Sequence, residues 1–516
     1  MSSATAQSTD RRSRPEWYGS AFQAFSEVAS AFPDRDAVLD EHAVLTYAEL
    51  DQRCGILARI LVDRGIGVGD RVAVFLPRTV DLAVAILGIL RAGAVYVPFD
   101  PEQPAQRLAR QARTAGTSIA VTAASQAATV GELVGDLVVL DSVDWTVLEP
   151  LPWVEVEPNA SAYIIFTSGS TGTPKGVEVS HRALISFLNG METAEFFSPP
   201  GTRVAWNASV AFDASVQEWV RLLRGDTVGI LSDDARRDPY EFADFIRSMR
   251  LTEIDMTPSH AVVLMDDLAE VARTSHPLRL IVAGESIPPD LWRLLQELTA
   301  EGVVTAANLY GPTETAVNVL GAFILPEGEP SIGRPLAGVL TRVVDDRLQP
   351  VAAGATGELC IVGPYLAKGY LGQPGLTASK FAPDPLTTTG ERMYRTGDRV
   401  TENPDGTFTY VGRTDTQVKI RGHRIELGEI ETLIADHPAV LRAVVLYQSE
   451  GPSLTAVLRL APDGDVEDVR AHVTREVPSW MQPTHYHVVD HVPLTVGGKA
   501  DRQSLLAQLT ARTAER

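Results

Sequence analysis

The chain has 516 residues, 45% hydrophobic and 22% charged, the composition of a soluble globular protein too long for one hydrophobic core. A formal net charge of −21 argues against a nucleic-acid or anionic-membrane surface, so a polyphosphate ligand must be held by a few local cations. Two cysteines, Cys54 and Cys360, stand far apart without metal-ligand spacing; they offer no disulfide framework and point to a reducing cytoplasm.

The opening "MSSATAQSTDRRSRPEW" lacks the apolar run of a signal peptide, and residues 1–15, like 509–516, read as frayed ends. "LTYAEL" predicts a helix start, with Thr46 and Glu49 at capping-box spacing. "RVAVFL" (Arg71–Leu76) reads as a buried strand and Val80–Leu90 as a buried helix, whose apolar run is too short to span a bilayer. "AYIIFTSGS", "LRLIVAGES" and "GVVTAANLYGPTE" are apolar runs that break into Gly-containing loops. Between the last two, "PPDLWRLLQELTAEG" carries Pro at the start of a helix and Gly302 as its stop signal.

Alternating strand and helix predicts an α/β fold with a largely parallel sheet, where ligands bind beyond the carboxyl ends of the strands. After about residue 410 the pattern changes to a compact α+β module of roughly a hundred residues. The expected division is a large domain over 16–414, a small one over 415–508 and a tail over 509–516.

The stretch "TSGSTGTPKG" (Thr167–Gly176) follows the apolar "AYIIF". A Gly/Ser/Thr tract is ordinarily a flexible connector. This one lies between apolar segments inside a domain, with Lys175 as its single charge. Backbone N–H groups in a Gly-rich turn plus one ammonium suit a phosphate. The Walker A pattern fits no register, which argues against a P-loop kinase or GTPase.

Ten motifs then run in order along almost the whole chain. They are "LTYAEL", "LRAGAVYVPFD", "TSGSTGTPKG", "FDAS" (212–215), "NLYGPTE" (308–314), "GELCIVGPYLAKGYL" (357–371), "YRTGDR" (394–399), "GRTDTQVKIRGHRIELGEIE" (412–431), "VPSWMQP" (477–483) and "GGKADR" (497–502). In this order they resemble the amino-acid-activating adenylation domains of nonribosomal peptide synthetases, members of the adenylate-forming superfamily. The resemblance implies a large α/β domain of sheets with packed helices plus a small barrel, and a small mobile α+β domain. It implies ATP and Mg²⁺, an amino-acid substrate, and a phosphopantetheine-bearing carrier protein as acceptor. A small activating partner protein is a further candidate partner; nucleic acid and membrane are not expected.

By the same resemblance, Thr167, Ser168, Gly169, Ser170, Thr171, Gly172 and Lys175 cover the β,γ-phosphates. Glu314 ligates Mg²⁺, Thr313 contacts the α-phosphate, and Tyr310 stacks on adenine beside Asn308, Gly311 and the Ala283–Gly284–Glu285 turn. Asp398 takes the ribose hydroxyls, with Arg413 nearby. Lys499 is the cation that bridges substrate carboxylate and phosphate, and Asp415 is the hinge about which Lys499 would withdraw and Lys419 advance. Asp213 pairs with the substrate ammonium. The side-chain pocket is expected from Ala214, Gln217, Asp255, Ile281, Ala283, Leu309, Val317 and Asn318, closed by Lys499 at the carboxylate end. Gln217 and Asp255 either bind a polar side chain, as in a glutamine-selecting pocket, or bond to each other and leave room for a small one such as alanine.

Departures from the family pattern are Arg399 for a leucine, Trp480 for a tyrosine and "GGK" for Asn-Gly-Lys; none removes a catalytic group. No carrier domain follows Arg502 and no condensation domain precedes residue 20, so transfer to a carrier in trans is the expectation, the alternative being a piece of a longer chain from which the carrier has been cut away. The competing readings are an acyl- or aryl-CoA ligase and a catalytically inactive nucleotide-binding regulator.

Overall fold

The computed structural model describes residues 21–169, 173–387, 390–448, 453–494 and 500–514. The helix Tyr47–Asp63 begins at the expected capping box, with the Thr46 hydroxyl and the Glu49 carboxylate each accepting from the other residue's backbone N–H. Its buried face, including Leu50, Leu57 and Leu61, packs on the apolar helix Asp81–Arg91. In the strand Arg71–Phe75, Val72 and Val74 share the core of these helices while Ala73 and Phe75 face a second core, as its unbroken apolar run requires.

Two large sheets organise the first part of the chain. One has seven strands, in the order Gly369–Tyr370, Lys175–Ser180, Ser161–Thr167, Val95–Pro98, Arg71–Phe75, Ile119–Thr122, Asp136–Val139. Its last five strands run parallel, and Ser161–Thr167 pairs antiparallel with Lys175–Ser180. The other has nine strands, with a parallel centre of Val304–Tyr310, Leu278–Ala283, Glu253–Met256, Arg203–Trp206, Thr227–Ile230 and Asp36–Leu39. A five-stranded antiparallel sheet, built around the long strand Arg392–Glu402, follows.

After Asp415 comes the hairpin Gln417–Ile420/His423–Glu426, then a three-stranded sheet carrying the helices Leu427–Ala435, Val466–Glu476 and Arg502–Ala514. This smaller C-terminal domain has cores of its own. Ile425, Ile430, Val445, Ala456 and Met481 form one; Val444, Val457, Leu505 and Leu509 form another. The last helix crosses position 509, where a frayed tail was expected. Leu505 and Leu509 explain the difference: four apart on one face, both are buried against the sheet. Among the described residues no helix is long and apolar enough to cross a membrane.

Candidate active site

Three of the motif loops leave the carboxyl ends of strands in the two sheets. The strand Ser161–Thr167 leads into the Gly-rich loop and returns through Lys175–Ser180, with Thr167 opposite Lys175. Leu278–Ala283 ends in the turn at Gly284, whose φ of +93° is a conformation glycine adopts without strain. Val304–Tyr310 ends in Gly311, where a Cβ would sit 2.1 Å from the Val317 carbonyl oxygen. Ala316 and Val317, neither of them glycine, take φ of +53° and +78°. For a β-branched residue this is strained backbone, held at the loop that carries Thr313, Glu314 and Asn318.

Two cavities meet at these loops and share Ser259, Gly284, Pro288 and Gly311. The larger, about 970 Å³, is lined by Asp213, Ala214, Gln217, Asp255, Ile281, Ala283, Val317 and Asn318. The smaller, about 430 Å³, takes in Gly284, Glu285, Asn308, Tyr310, Arg413 and Lys419. Leu309, expected among the side-chain pocket residues, lines the smaller cavity instead. Its strand end abuts that space, while Val317 and Asn318 reach the larger one from the strained turn.

Within the larger cavity, Gln217 Nε2 donates to Asp255 Oδ2 at 2.7 Å, and Asn318 Nδ2 donates to Gln217 Oε1 at 2.5 Å. Of the two arrangements open to these residues, they adopt the one in which Gln217 and Asp255 bond to each other. Asp255 Oδ1 is buried and accepts no hydrogen bond from the described residues. Burial, reinforced by Glu253, pushes the Asp255 carboxyl above the ordinary carboxylate range. Asp213 stands at the start of the short helix Ala214–Trp219. Burial raises its carboxyl too, opposed by the Thr313 hydroxyl. At the outer end, the His423 ring stacks on Trp480 with centroids 4.1 Å apart, and Phe212 meets His423 edge-on at 4.8 Å. Trp480, a departure in the motif, thus helps close the cavity.

Around the smaller cavity, the Tyr310 hydroxyl donates to Asp398 Oδ2, and Arg413 Nη1 donates to Asp398 Oδ1. Arg413 also grips both carboxylate oxygens of Asp415, at 2.7 and 2.9 Å. Lys419 Nζ lies 6.0 Å from the centre of the Tyr310 ring. Asn308 Nδ2 donates to the Ser331 carbonyl at 2.7 Å. Glu285 accepts from the Ser259 hydroxyl at 2.6 Å and from the Gly422 N–H at 2.7 Å.

Glu314 lies in the one-turn 3₁₀ segment Thr313–Thr315 and is fully buried. Its Oε1 accepts from the Tyr370 hydroxyl at 2.7 Å, with Lys175 Nζ 3.7 Å away, and its Oε2 accepts from Arg424 Nη1 at 2.7 Å. Burial opposes ionisation, but Arg424 and Lys175 outweigh it and hold the carboxyl well below the ordinary range. Burial and Arg424 lower the Lys175 ammonium, against Glu314 and Glu426.

The structure therefore sets Lys175 beside Glu314 and bonds Tyr310 to Asp398, with Tyr310 lining the smaller cavity and Asp213 the larger. Ser170, Thr171, Gly172 and Lys499 lie outside the described residues. Arg424, Tyr370, Glu426 and Glu429 were not singled out in the sequence. Each sits inside a motif, but spacing does not tell which of several basic or acidic residues in "VKIRGHRIELGEIE" points inward.

The family model described as AMP-binding enzyme matches residues 25–371, and that described as AMP-binding enzyme C-terminal domain matches 429–499. The chain is 37% identical over 502 residues to a dimodular nonribosomal peptide synthase of Bacillus subtilis (strain 168), covering 94% of this chain and 20% of that one. It is 38% identical over 489 residues to the phosphinothricin tripeptide synthetase PhsC of Streptomyces viridochromogenes, covering 92% and 44%. Among solved structures, it resembles an artificially fused adenylation–PCP di-domain protein from Klebsiella oxytoca, with a TM-score of 0.80 and 26% identity over 96% of this chain and 97% of that one. The chain thus spans a fifth to under a half of the two curated relatives.

Proposed function

This chain belongs to the AMP-binding enzyme family, and from that premise we propose that it activates a small or polar L-amino acid with ATP and passes the acyl group to a carrier protein. In the first step a carboxylate oxygen attacks the α-phosphorus, and the bond to pyrophosphate breaks. In the second, the phosphopantetheine thiol of a separate carrier protein loses its proton and attacks the acyl carbon, and AMP leaves. The observation that carries this reading is the pair of cavities meeting at Gly284 and Gly311. One is lined with carboxylates and amides suited to an amino acid, the other with a tyrosine, an asparagine and an arginine suited to a nucleotide.

Each side chain then has a task. Asp213 holds the ammonium, a charge-assisted contact strengthened by burial. Asp398 and Tyr310 hold the ribose and base, and the Gly-rich loop with Lys175 holds the β,γ-phosphates. Among the described residues no group of three or more His, Cys, Asp or Glu side chains is placed to hold a metal. The single carboxylate Glu314 fits Mg²⁺ that arrives with nucleotide, since Mg²⁺ commonly takes one or two protein carboxylates plus phosphate oxygens. When bound, that ion supplies positive charge at the phosphates. The structural relative named as an adenylation–PCP fusion supports a carrier protein as the acceptor.

Pyrophosphate exchange against a panel of acids tests the proposal. Small and polar L-amino acids should exchange, and their deaminated analogues should not. Preference for acids without an amine would replace the reading with an acyl- or aryl-CoA ligase; nucleotide binding without exchange would make the chain a regulator. Phenylalanine or tryptophan as best substrate would refute the pocket.

Gln217→Ala probes the side-chain end. The bonded Gln217–Asp255–Asn318 set fills space, so its truncation should admit larger side chains and lower the KM for them. A substrate whose side chain bonds to Gln217 would instead lose affinity by about five- to tenfold, the worth of one hydrogen bond.

A further inference from the structure

We infer that Asp255 Oδ1 is the acceptor that selects the substrate side chain, so that the amino acid activated here carries an apolar stem ending in a hydrogen-bond donor. The inference rests on the reading of the larger cavity as the amino-acid site with Asp213 at the ammonium. It narrows that reading from a small or polar side chain to a donor-bearing one.

Asp255 lies near the carboxyl end of the strand Glu253–Met256, opposite Ile281 of the neighbouring parallel strand. It is only 7% exposed, yet it lines the cavity. The two amides beside it are oriented in one direction. Asn318 Nδ2 donates to Gln217 Oε1, and Gln217 Nε2 donates to Asp255 Oδ2. The carboxyl is therefore the last acceptor of a chain whose donors all point toward it. Its second oxygen, Oδ1, is buried and accepts no hydrogen bond from the described residues. Arg221, the buried guanidinium whose charge reaches Asp255, is bonded instead to Asp226, at 2.6 Å, and to Glu253.

A pocket floor that served only to fill space would need no carboxyl. Leucine or methionine would close it without leaving a buried oxygen half-satisfied. The wall on the way to Asp255 is apolar: Ile281 and Ala283 stand two apart on one strand, on one face, and Val317 lines the same cavity. Methylenes suit that wall, and a terminal amide, ammonium or hydroxyl suits its one open acceptor. The helix Ala214–Trp219 sets the length, because Asp213 at its start and Gln217 are four residues apart. That is a rise of about 6 Å, which an extended chain covers in about four to five bonds from the α-nitrogen.

Pyrophosphate exchange with pairs matched in shape tests the inference on the unaltered protein. The pairs are asparagine against leucine, glutamine against homoleucine, ornithine against norleucine and homoserine against norvaline. In at least one pair the donor-bearing acid should have the higher kcat/KM by about tenfold or more, and the pair that does so identifies the donor as amide, ammonium or hydroxyl. Asp255→Leu should reverse the preference within that pair, with the KM for ATP unchanged; the gain of the apolar acid shows that the variant is folded. Exchange that favours the apolar member of every pair, or alanine over every donor-bearing acid, would overturn the role of Asp255 and leave amino-acid activation standing. A preference that persists in exchange-competent Asp255→Leu would do the same. The panel on the unaltered protein decides the matter even where that variant does not fold. Exchange with no amino acid at all would overturn the reading of the cavity, and the inference with it.

Discussion

Asp213→Asn should lower kcat/KM for the amino acid in pyrophosphate exchange by about 10²–10³-fold, roughly 3–4 kcal/mol, with the KM for ATP nearly unchanged. Asp213 faces the larger cavity, and burial already makes its charge costly. An incoming ammonium relieves that cost, so the pair forms in a desolvated site where it is worth more than at the surface. The amide keeps the shape and the Thr313 neighbour but removes the charge, leaving the buried ammonium unmatched. The effect should fall on KM, because the contact exists before the chemistry begins. A loss under about fivefold, the size of an exposed ion pair, would show that the ammonium binds elsewhere. The same variant tested with deaminated acids provides the contrast: their low activity should not fall further.

Much of this site was legible because its loops announce themselves. An apolar run that breaks into glycine and a polar residue places that residue at the end of a buried strand, which describes Thr167, Gly284 and Gly311 alike. What the run does not reveal is that Ser161–Thr167 belongs to one sheet and the other two strands to another. The capping box at Thr46 and the proline-started helix Pro289–Ala300 were equally readable, being local chemistry.

Choices between neighbours were not readable. The hairpin Gln417–Ile420/His423–Glu426 carries Lys419, Arg421, His423 and Arg424 within six residues, and strand alternation separates faces without saying which face meets the large domain. The docked partners decide it, putting Arg424 on Glu314 and His423 against Phe212. Tyr370, which donates to Glu314, and the exclusion of Leu309 from the larger cavity are likewise set by packing between distant segments. The bond between Gln217 and Asp255 was foreseen only as one of two arrangements, since hydrogen-bond satisfaction permits both.

Lys499→Ala should abolish aminoacyl-AMP formation, with kcat reduced by about 10²–10³-fold, while ATP still binds and a supplied aminoacyl-AMP is still transferred to the carrier thiol. In the adenylating step the pentacoordinate phosphorus gathers negative charge, and a positioned ammonium bridging carboxylate and phosphate is worth most at that moment. On the proposed reading, ground-state contacts to the nucleotide come from Tyr310, Asp398 and Lys175, all on the large domain, so the KM for ATP should change little. In the arrangement described above, Arg424 bonds to Glu314 and Lys419 lines the smaller cavity near the Tyr310 ring, so each is a candidate cation from the C-terminal domain. Lys419, its ammonium destabilised by burial, lies against the Tyr310 ring. If one of these supplied the cation for adenylation, Lys499→Ala would exchange pyrophosphate at a near-normal rate, and the two half-reactions would share one domain arrangement. Loss of exchange with retained transfer is the opposite result, and it requires that the C-terminal domain present Lys499 in one step and the Arg424 hairpin in the other.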